Sequence, residues 1–205
     1  MPPPYLLHVN SALTQVTPET WKMYATEHIS DLVNASAVTC AFLYEEIPLP
    51  IKAYAPANPR KFLTLYQTEF AEPMKTQKNY EFVQVYDPNG FGEEDPTPEI
   101  FTVEMHPKDR VDHDKWYREE HLEATSKLPG YRRSTRYVLG PRTPITKGDD
   151  PPFCIAIHEV DNVWKALSSK ELEATNSPWT EKHMKESVPF ILRSWKLVHA
   201  EGYSS

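Results

Sequence analysis

The side chains best suited to acid–base chemistry in this chain are its histidines, 8 among 205 residues. His121 stands four residues after Tyr117, in the run Trp116-Tyr117-Arg118-Glu119-Glu120-His121. On a helix that spacing puts phenol and imidazole on one face. An imidazole titrates near neutrality, so it can take a proton from a bound molecule or return one; alternatively it bonds a neighbouring strand and orients the helix. His28 follows Trp21 and Tyr24 at a similar period, which equally describes the buried face of a helix. His8 and Asn10 share one face of a short strand whose other face carries Leu7 and Val9. His158 shares a face with the small Ala156, which leaves room for a ligand or seats a satisfied core histidine. It corresponds to Tyr66 farther upstream. Arg132, Arg133 and Arg136 suit an acidic or phenolic substrate, or simply balance acidic surface. The candidate proton-transfer set is therefore His121, His8, His158, Tyr117 and His28. Trp116, Tyr66, Arg132, Tyr131 and Asn10 are candidates for holding a substrate. His113, His183 and His199 are expected to face solvent, and His106 to end a strand.

These groups need a scaffold. In the second half, 100–106 reads as a strand, and Asp112 as the cap of a helix through Trp116, Tyr117, His121, Leu122 and Thr125 that Pro129-Gly130 stops. Tyr131–Leu139 and 153–160 are strands. Asp161-Asn162 can cap a helix over 163–175, Ser177-Pro178 opens a short one, and 193–200 closes the unit as a strand. The first half repeats the plan. Thr17-Pro18 caps its helix, 38–45, 61–68 and 80–86 are strands, and 70–79 is an abbreviated second helix interrupted by Pro73. Clusters among the 20 prolines frame these segments as loops.

The repetition extends to residues. Tyr24-Ala25-Thr26-Glu27-His28 answers Tyr117-Arg118-Glu119-Glu120-His121 at a spacing of 93. Leu6-Leu7-His8-Val9 answers Ile100-Phe101-Thr102-Val103, and Phe62-Leu63-Thr64-Leu65-Tyr66 answers Cys154-Ile155-Ala156-Ile157-His158. Matched blocks in one order indicate two copies of one βαββαβ unit, 1–95 and 96–205, each ferredoxin-like. The expected fold class is α+β.

The second copy, through Trp116-Tyr117-Arg118-Glu119-Glu120-His121, Pro129-Gly130-Tyr131-Arg132-Arg133 and Ile157-His158-Glu159-Val160-Asp161, resembles the EthD-like branch of the dimeric α/β-barrel superfamily. The resemblance covers residues 100–200 fully and the first half weakly. It implies two units packed as an intramolecular dimeric α/β-barrel, the sheets closing around a pocket. It further implies an enzyme of secondary metabolism that decarboxylates, cyclises or oxygenates an aromatic or polyketide-like molecule. Among these the expectation is a cofactor-independent enzyme working by histidine-mediated proton transfer, a decarboxylase or cyclase, with the fuller second copy holding the pocket. A non-catalytic carrier of a hydrophobic metabolite, and a haem-dependent or cofactor-free oxygenase of the same barrel group, are the competing readings.

Composition narrows the classes. A net charge of −7, from 22 basic and 29 acidic residues, offers no reason to expect nucleic acid. Apolar runs are too short to span a bilayer, and Met1-Pro2-Pro3-Pro4 has no signal-peptide character. Cys40 and Cys154 make neither a disulfide framework nor a thiolate metal cage. No metal-binding spacing, glycine-rich phosphate loop or Gly-x-Ser-x-Gly elbow is present. The expectation is a cytoplasmic monomer or homodimer, without metal or cofactor, whose partner is a small aromatic molecule.

Overall fold

The computed structural model describes residues 3–11, 15–51, 56, 58, 60–69, 79–92, 96–140 and 151–202. The elements are β1 (Tyr5–Ser11), α1 (Pro18–Asn34), β2 (Cys40–Ile47), β3 (Phe62–Thr68), β4 (Asn79–Tyr86), β5 (Glu99–Met105), α2 (Arg110–Trp116), α3 (Leu122–Thr125), β6 (Tyr131–Leu139), β7 (Cys154–Val160), α4 (Val163–Leu167), α5 (Pro178–Glu186) and β8 (Phe190–Glu201). A wide π turn, Tyr117–His121, joins α2 to α3, and a 3₁₀ turn, Lys170–Thr175, precedes α5. The expected helix over 70–79 and the expected boundary at 95/96 lie outside the described residues, apart from Asn79, which opens β4.

The strands close into one antiparallel barrel in the order β1-β3-β2-β8-β5-β7-β6-β4. Each half contributes four neighbours in the order 4-1-3-2, and the halves meet at two seams, β2 on β8 and β4 on β6. That is the arrangement of two ferredoxin-like sheets joined edge to edge, so neither sheet keeps an open edge. Alternation sorts the side chains. Leu6, Phe42, Leu65, Ile100, Ile157 and Trp195 point inward into one cluster. Leu7, Ala41 and Tyr66 point outward under α1. Phe101 and Val160 lie beneath α4, and Met105 and Ala156 beneath α2.

Among the described residues, large side chains fill much of the interior. Trp195 is fully buried there, its indole N–H donating to Thr102 Oγ1 at 3.0 Å, and Tyr80 and Tyr137 fill the opposite wall. The gap among Phe42, Tyr44, Leu65 and Tyr137 is about 20 Å³, room for roughly one water. Eight strands leave an interior that side chains just fill.

Local signals account for the helix ends, with corrections. Thr17, Asn162 and Ser177 cap α1, α4 and α5 as expected. Asp109, not Asp112, caps α2, accepting from the N–H groups of Val111 and Asp112 at 3.0 Å. Asp112 instead accepts from Trp179 Nε1 at 3.2 Å and Lys182 Nζ at 2.8 Å, tying α5 to α2. That docking buries His113 and His183, which the sequence placed in solvent. The expected helix over 163–175 breaks after Leu167, where the Ser168 and Ser169 hydroxyls donate to the carbonyls of Trp164 and Ala166. Among the described residues, no helix is long and apolar enough to cross a membrane.

Candidate functional site

A cavity of about 280 Å³ lies outside the barrel, between the outer face of β5 and β8 and the helices of the second half. Phe101, Val103 and Met105 of β5 form its floor with Phe190 and Leu192 of β8. Trp116, His121, Thr125 and Leu128 wall one side, and Leu167, Leu172, Thr175, Asn176, Thr180 and Met184 the other, with Ile51 reaching in from the first half. Among these described lining residues His121 is the single titratable group; the remaining polar side chains are three threonines and an asparagine.

The π turn decides where His121 points. The N–H of Leu122 donates to the carbonyl of Tyr117, five residues back instead of four. The wider turn stacks residues five apart, so the rings of Trp116 and His121 lie 4.2 Å apart at 31°, while Tyr117 meets His121 edge-on at 5.1 Å. Trp116 is itself held by its indole N–H, which donates to Thr180 Oγ1 on α5 at 3.2 Å. Glu120 does not reach the imidazole; the Ser177 hydroxyl at the start of α5 donates to its carboxylate.

Burial pushes the His121 imidazolium down to about 3, with the neighbouring His158 and the Arg136 guanidinium adding to the effect. The ring is neutral at physiological pH, and its Nδ1 is buried with no hydrogen-bond partner among the described residues. The His121 ring itself forms part of the cavity wall, where a bound molecule would meet it.

Behind it sits His158. Register places Ser134 directly opposite His158 across β6 and β7, and Ser134 Oγ lies 2.7 Å from His158 Nδ1. The Tyr131 hydroxyl lies 2.8 Å from Ser134 Oγ and 3.1 Å from the carbonyl of Tyr86, with one proton to share between them. Ser134 thus holds the His158 ring at Nδ1, while Nε2 is buried and unpartnered among the described residues. Phe101 stacks on the His158 ring at 4.6 Å, and His121 approaches it edge-on at 6.4 Å. Burial lowers His158 to about 3, so it too is neutral. Arg136, itself buried, ion-pairs with Asp114 at 3.0 Å, donates to Gln84 Oε1 at 3.0 Å and lies 4.2 Å over the Tyr117 ring. Its charge is held behind the aromatic layer and is not among the groups lining the cavity.

The fold thus brings together His121, Tyr117, Trp116, His158 and Tyr131 of the candidate set. It does not bring the others to them. Arg132 pairs with Asp161 at 2.8 Å on the surface. His8 and Asn10 point into the barrel, where His8 Nε2 lies 3.9 Å from Glu104. His28 and Tyr66 belong to a separate cavity under α1. Sequence reasoning missed Ser134 and Thr180. Their roles depend on strand register and on helix docking, and neither residue carries a local pattern that announces them. Among the described residues no cluster of histidine, cysteine and carboxylate side chains could hold a metal ion.

No protein-family model matches the sequence, and no curated protein matches it. Solved structures do match the fold. One is an anthrone oxidase-like protein, 13% identical, covering 98% of this chain and 93% of that one with a TM-score of 0.57. Another is a protein assigned as a monooxygenase from Fusobacterium nucleatum subsp. nucleatum, 9% identical, covering 98% and 95% with a TM-score of 0.55. A third is a major regulator of staphylococcal pathogenesis, 10% identical, covering 95% and 99% with a TM-score of 0.56. The chain has the dimeric α/β-barrel architecture of such proteins, with both halves on one polypeptide.

Proposed function

We propose that the chain is an EthD-like, cofactor-independent oxygenase of a small, neutral, planar aromatic compound bound in the cavity beside His121. The observation that carries this is the single neutral imidazole that lines an otherwise uncharged, largely apolar cavity among the described residues. A cavity of about 280 Å³ sits at the small end of the roughly 300–1,000 Å³ range of ligand sites, which suits two or three fused rings.

The chemistry follows from the groups present. A substrate carrying an acidic C–H, such as a ring methylene flanked by arenes beside a carbonyl, gives that proton to His121. Thr125, Thr175, Asn176 and Thr180 are available to hold its oxygen. The imidazolium formed is unfavourable alone in this setting, and the carbanion beside it offsets that cost. The electron-rich carbanion passes an electron to dioxygen and the radicals combine, forming a C–O bond; the imidazolium returns its proton to the distal oxygen. Loss of water from the hydroperoxide breaks the O–O bond and leaves a carbonyl. The methylene carbon is oxidised by four electrons, and O₂ is reduced by four to one carbonyl oxygen and one water.

Oxygenation replaces decarboxylation or cyclisation as the leading assignment. A carboxylate substrate would enter a cavity whose described lining has no lysine or arginine to receive it, at a heavy desolvation cost. The resemblance of the fold to an anthrone oxidase-like protein and to a protein assigned as a monooxygenase supports oxygenation. Haem, which members of this barrel group bind, does not fit: the macrocycle exceeds the cavity, and no basic side chain of the described lining would meet its propionates.

Oxygen uptake with anthrone as probe tests the proposal. The expected result is one O₂ consumed per anthrone, with ¹⁸O from ¹⁸O₂ in the product carbonyl, and a loss of about 10²–10⁴-fold in kcat for His121→Ala. Binding of anthrone without uptake would make the chain a carrier instead. Uptake unchanged in His121→Ala would remove the imidazole from the mechanism.

A further inference from the structure

Besides His121, the polar side chains among the described lining of the second half's cavity are Thr125, Thr175, Asn176 and Thr180. Three of them have other engagements. The Thr175 hydroxyl donates to the carbonyl of Leu172 at 2.7 Å. Thr180 Oγ1 accepts the Trp116 indole N–H at 3.2 Å and lies 3.3 Å from Ser177 Oγ. Asn176 stands exposed at the rim, where water meets its amide. Thr125 differs. The residue is only 3% exposed, yet its hydroxyl makes no hydrogen bond among the described residues. That hydroxyl is not sealed in by protein as His121 Nδ1 is, so its accessible part opens on the cavity that Thr125 lines.

Its position is matched to His121. Thr125 ends α3, four residues after His121, and the Ser126 N–H donates to the carbonyl of Leu122 at 3.0 Å, so the regular helical period has resumed there. The two side chains therefore stand one above the other on one face, with Cβ atoms about 5–6 Å apart. Of the His121 nitrogens Nδ1 is sealed off and Nε2 is not, so Nε2 is the one a ligand meets. The cavity presents a hydrogen-bond donor and a neutral base side by side, facing the apolar floor of Phe101, Val103 and Leu192.

We propose that the Thr125 hydroxyl receives the carbonyl oxygen of the ligand, and that the cavity thereby selects aryl ketones over hydrocarbons of the same shape. The inference rests on the cavity beside His121 being the ligand site. A hydrocarbon strips water from the hydroxyl and leaves it unbonded, a cost that a ketone avoids. Thr125 also meets the charge that develops in turnover. As the C–H bond breaks, the proton passes to Nε2 and the electron pair moves through the ring onto the carbonyl oxygen. The Thr125 hydroxyl keeps its proton and donates a stronger hydrogen bond to that oxyanion.

Binding of 1-tetralone and of its hydrocarbon counterpart tetralin to the full chain tests this. The parent should bind the ketone more tightly. Thr125→Val, which keeps the shape of the side chain, should weaken 1-tetralone about three- to tenfold, the effect of one lost hydrogen bond, and leave tetralin unchanged. Thr125→Ser should bind 1-tetralone as the parent does. Infrared difference spectra with ¹³C=O-labelled 1-tetralone give a second readout: the carbonyl band should lie lower in the parent than in Thr125→Val. Equal affinity of parent and Thr125→Val for the ketone, an equal loss for both ligands, or an unshifted carbonyl band overturns the proposal. A ketone-specific loss in a chain that consumes no oxygen with anthrone would sink the oxygenase reading and uphold Thr125. Oxygen uptake without a ketone-specific loss would do the reverse.

Discussion

At the scale of single residues, what distinguishes His121 from the other histidines is the company each keeps. His113 packs against Trp116 and Tyr117 with Nε2 3.8 Å from the Cys154 thiol, and His183 lies 3.1 Å from Asp112. Both are enclosed by helix docking, and neither lines the cavity. His121 alone combines a cavity wall, a buried free nitrogen and a neutral ring. In the proposed reaction His158 would act behind it as a positioning residue, its ring held at Nδ1 by Ser134. Ser134→Ala should therefore lower kcat about tenfold and leave KM nearly unchanged, because Ser134 does not border the cavity. Steady-state oxygen uptake with anthrone measures both; a rise in KM with kcat intact would mean that Ser134 shapes binding and not proton transfer. The sequence showed both histidines as candidates but not their connection, since Ser134 meets His158 only through the register of β6 on β7.

At the scale of elements, the π turn is the decisive feature. Four-residue spacing was legible and put Tyr117 and His121 on one face, but the ring that lies closest to His121 is Trp116, five residues back. A regular α-helix would separate those two by about 140° around the axis. Inserting one alanine after the exposed Glu119 should turn α3 about 100° relative to α2 and part Trp116 from His121. Oxygen uptake should fall at least 100-fold while the midpoint of thermal unfolding drops by only a few degrees. An active insertion variant would show that the facing of Trp116 and His121 is incidental. Helix ends follow the same logic. Ser177-Pro178 and Thr17-Pro18 announce themselves locally. Asp109 competes with Asp112 for one cap, and the docking of Trp179 and Lys182 on Asp112 decides between them.

At the scale of the whole molecule, the second half hides three neutral histidines, His113, His121 and His158, each pushed down to about 3 by burial. In the unfolded chain each titrates near 6.5. Between those values the unfolded state binds more protons than the folded one, so the stability these groups permit is complete above about pH 6.5 and declines as pH falls towards 3. Near pH 5 unfolding should take up close to three protons, a slope of about 4 kcal/mol per pH unit. Thermal unfolding followed from pH 8 to 4.5 checks this: a flat midpoint above pH 7 and a steep fall below 6.5 are expected, with a shallower fall in His158→Gln. A midpoint that stays level down to pH 5 would mean the rings are solvated. The duplicated order of strands and the alternation that divides inner from outer side chains were legible in the sequence, because periodicity and spacing are properties of the chain itself. That the barrel interior would be filled by Trp195, Tyr80 and Tyr137, and that the cavity would open on its outer face, depended on how two sheets close on each other. Which candidate residues share a site was settled there too, since His8 points into the barrel while His121 faces the barrel's outer surface from the helix layer, and that is fixed by tertiary packing.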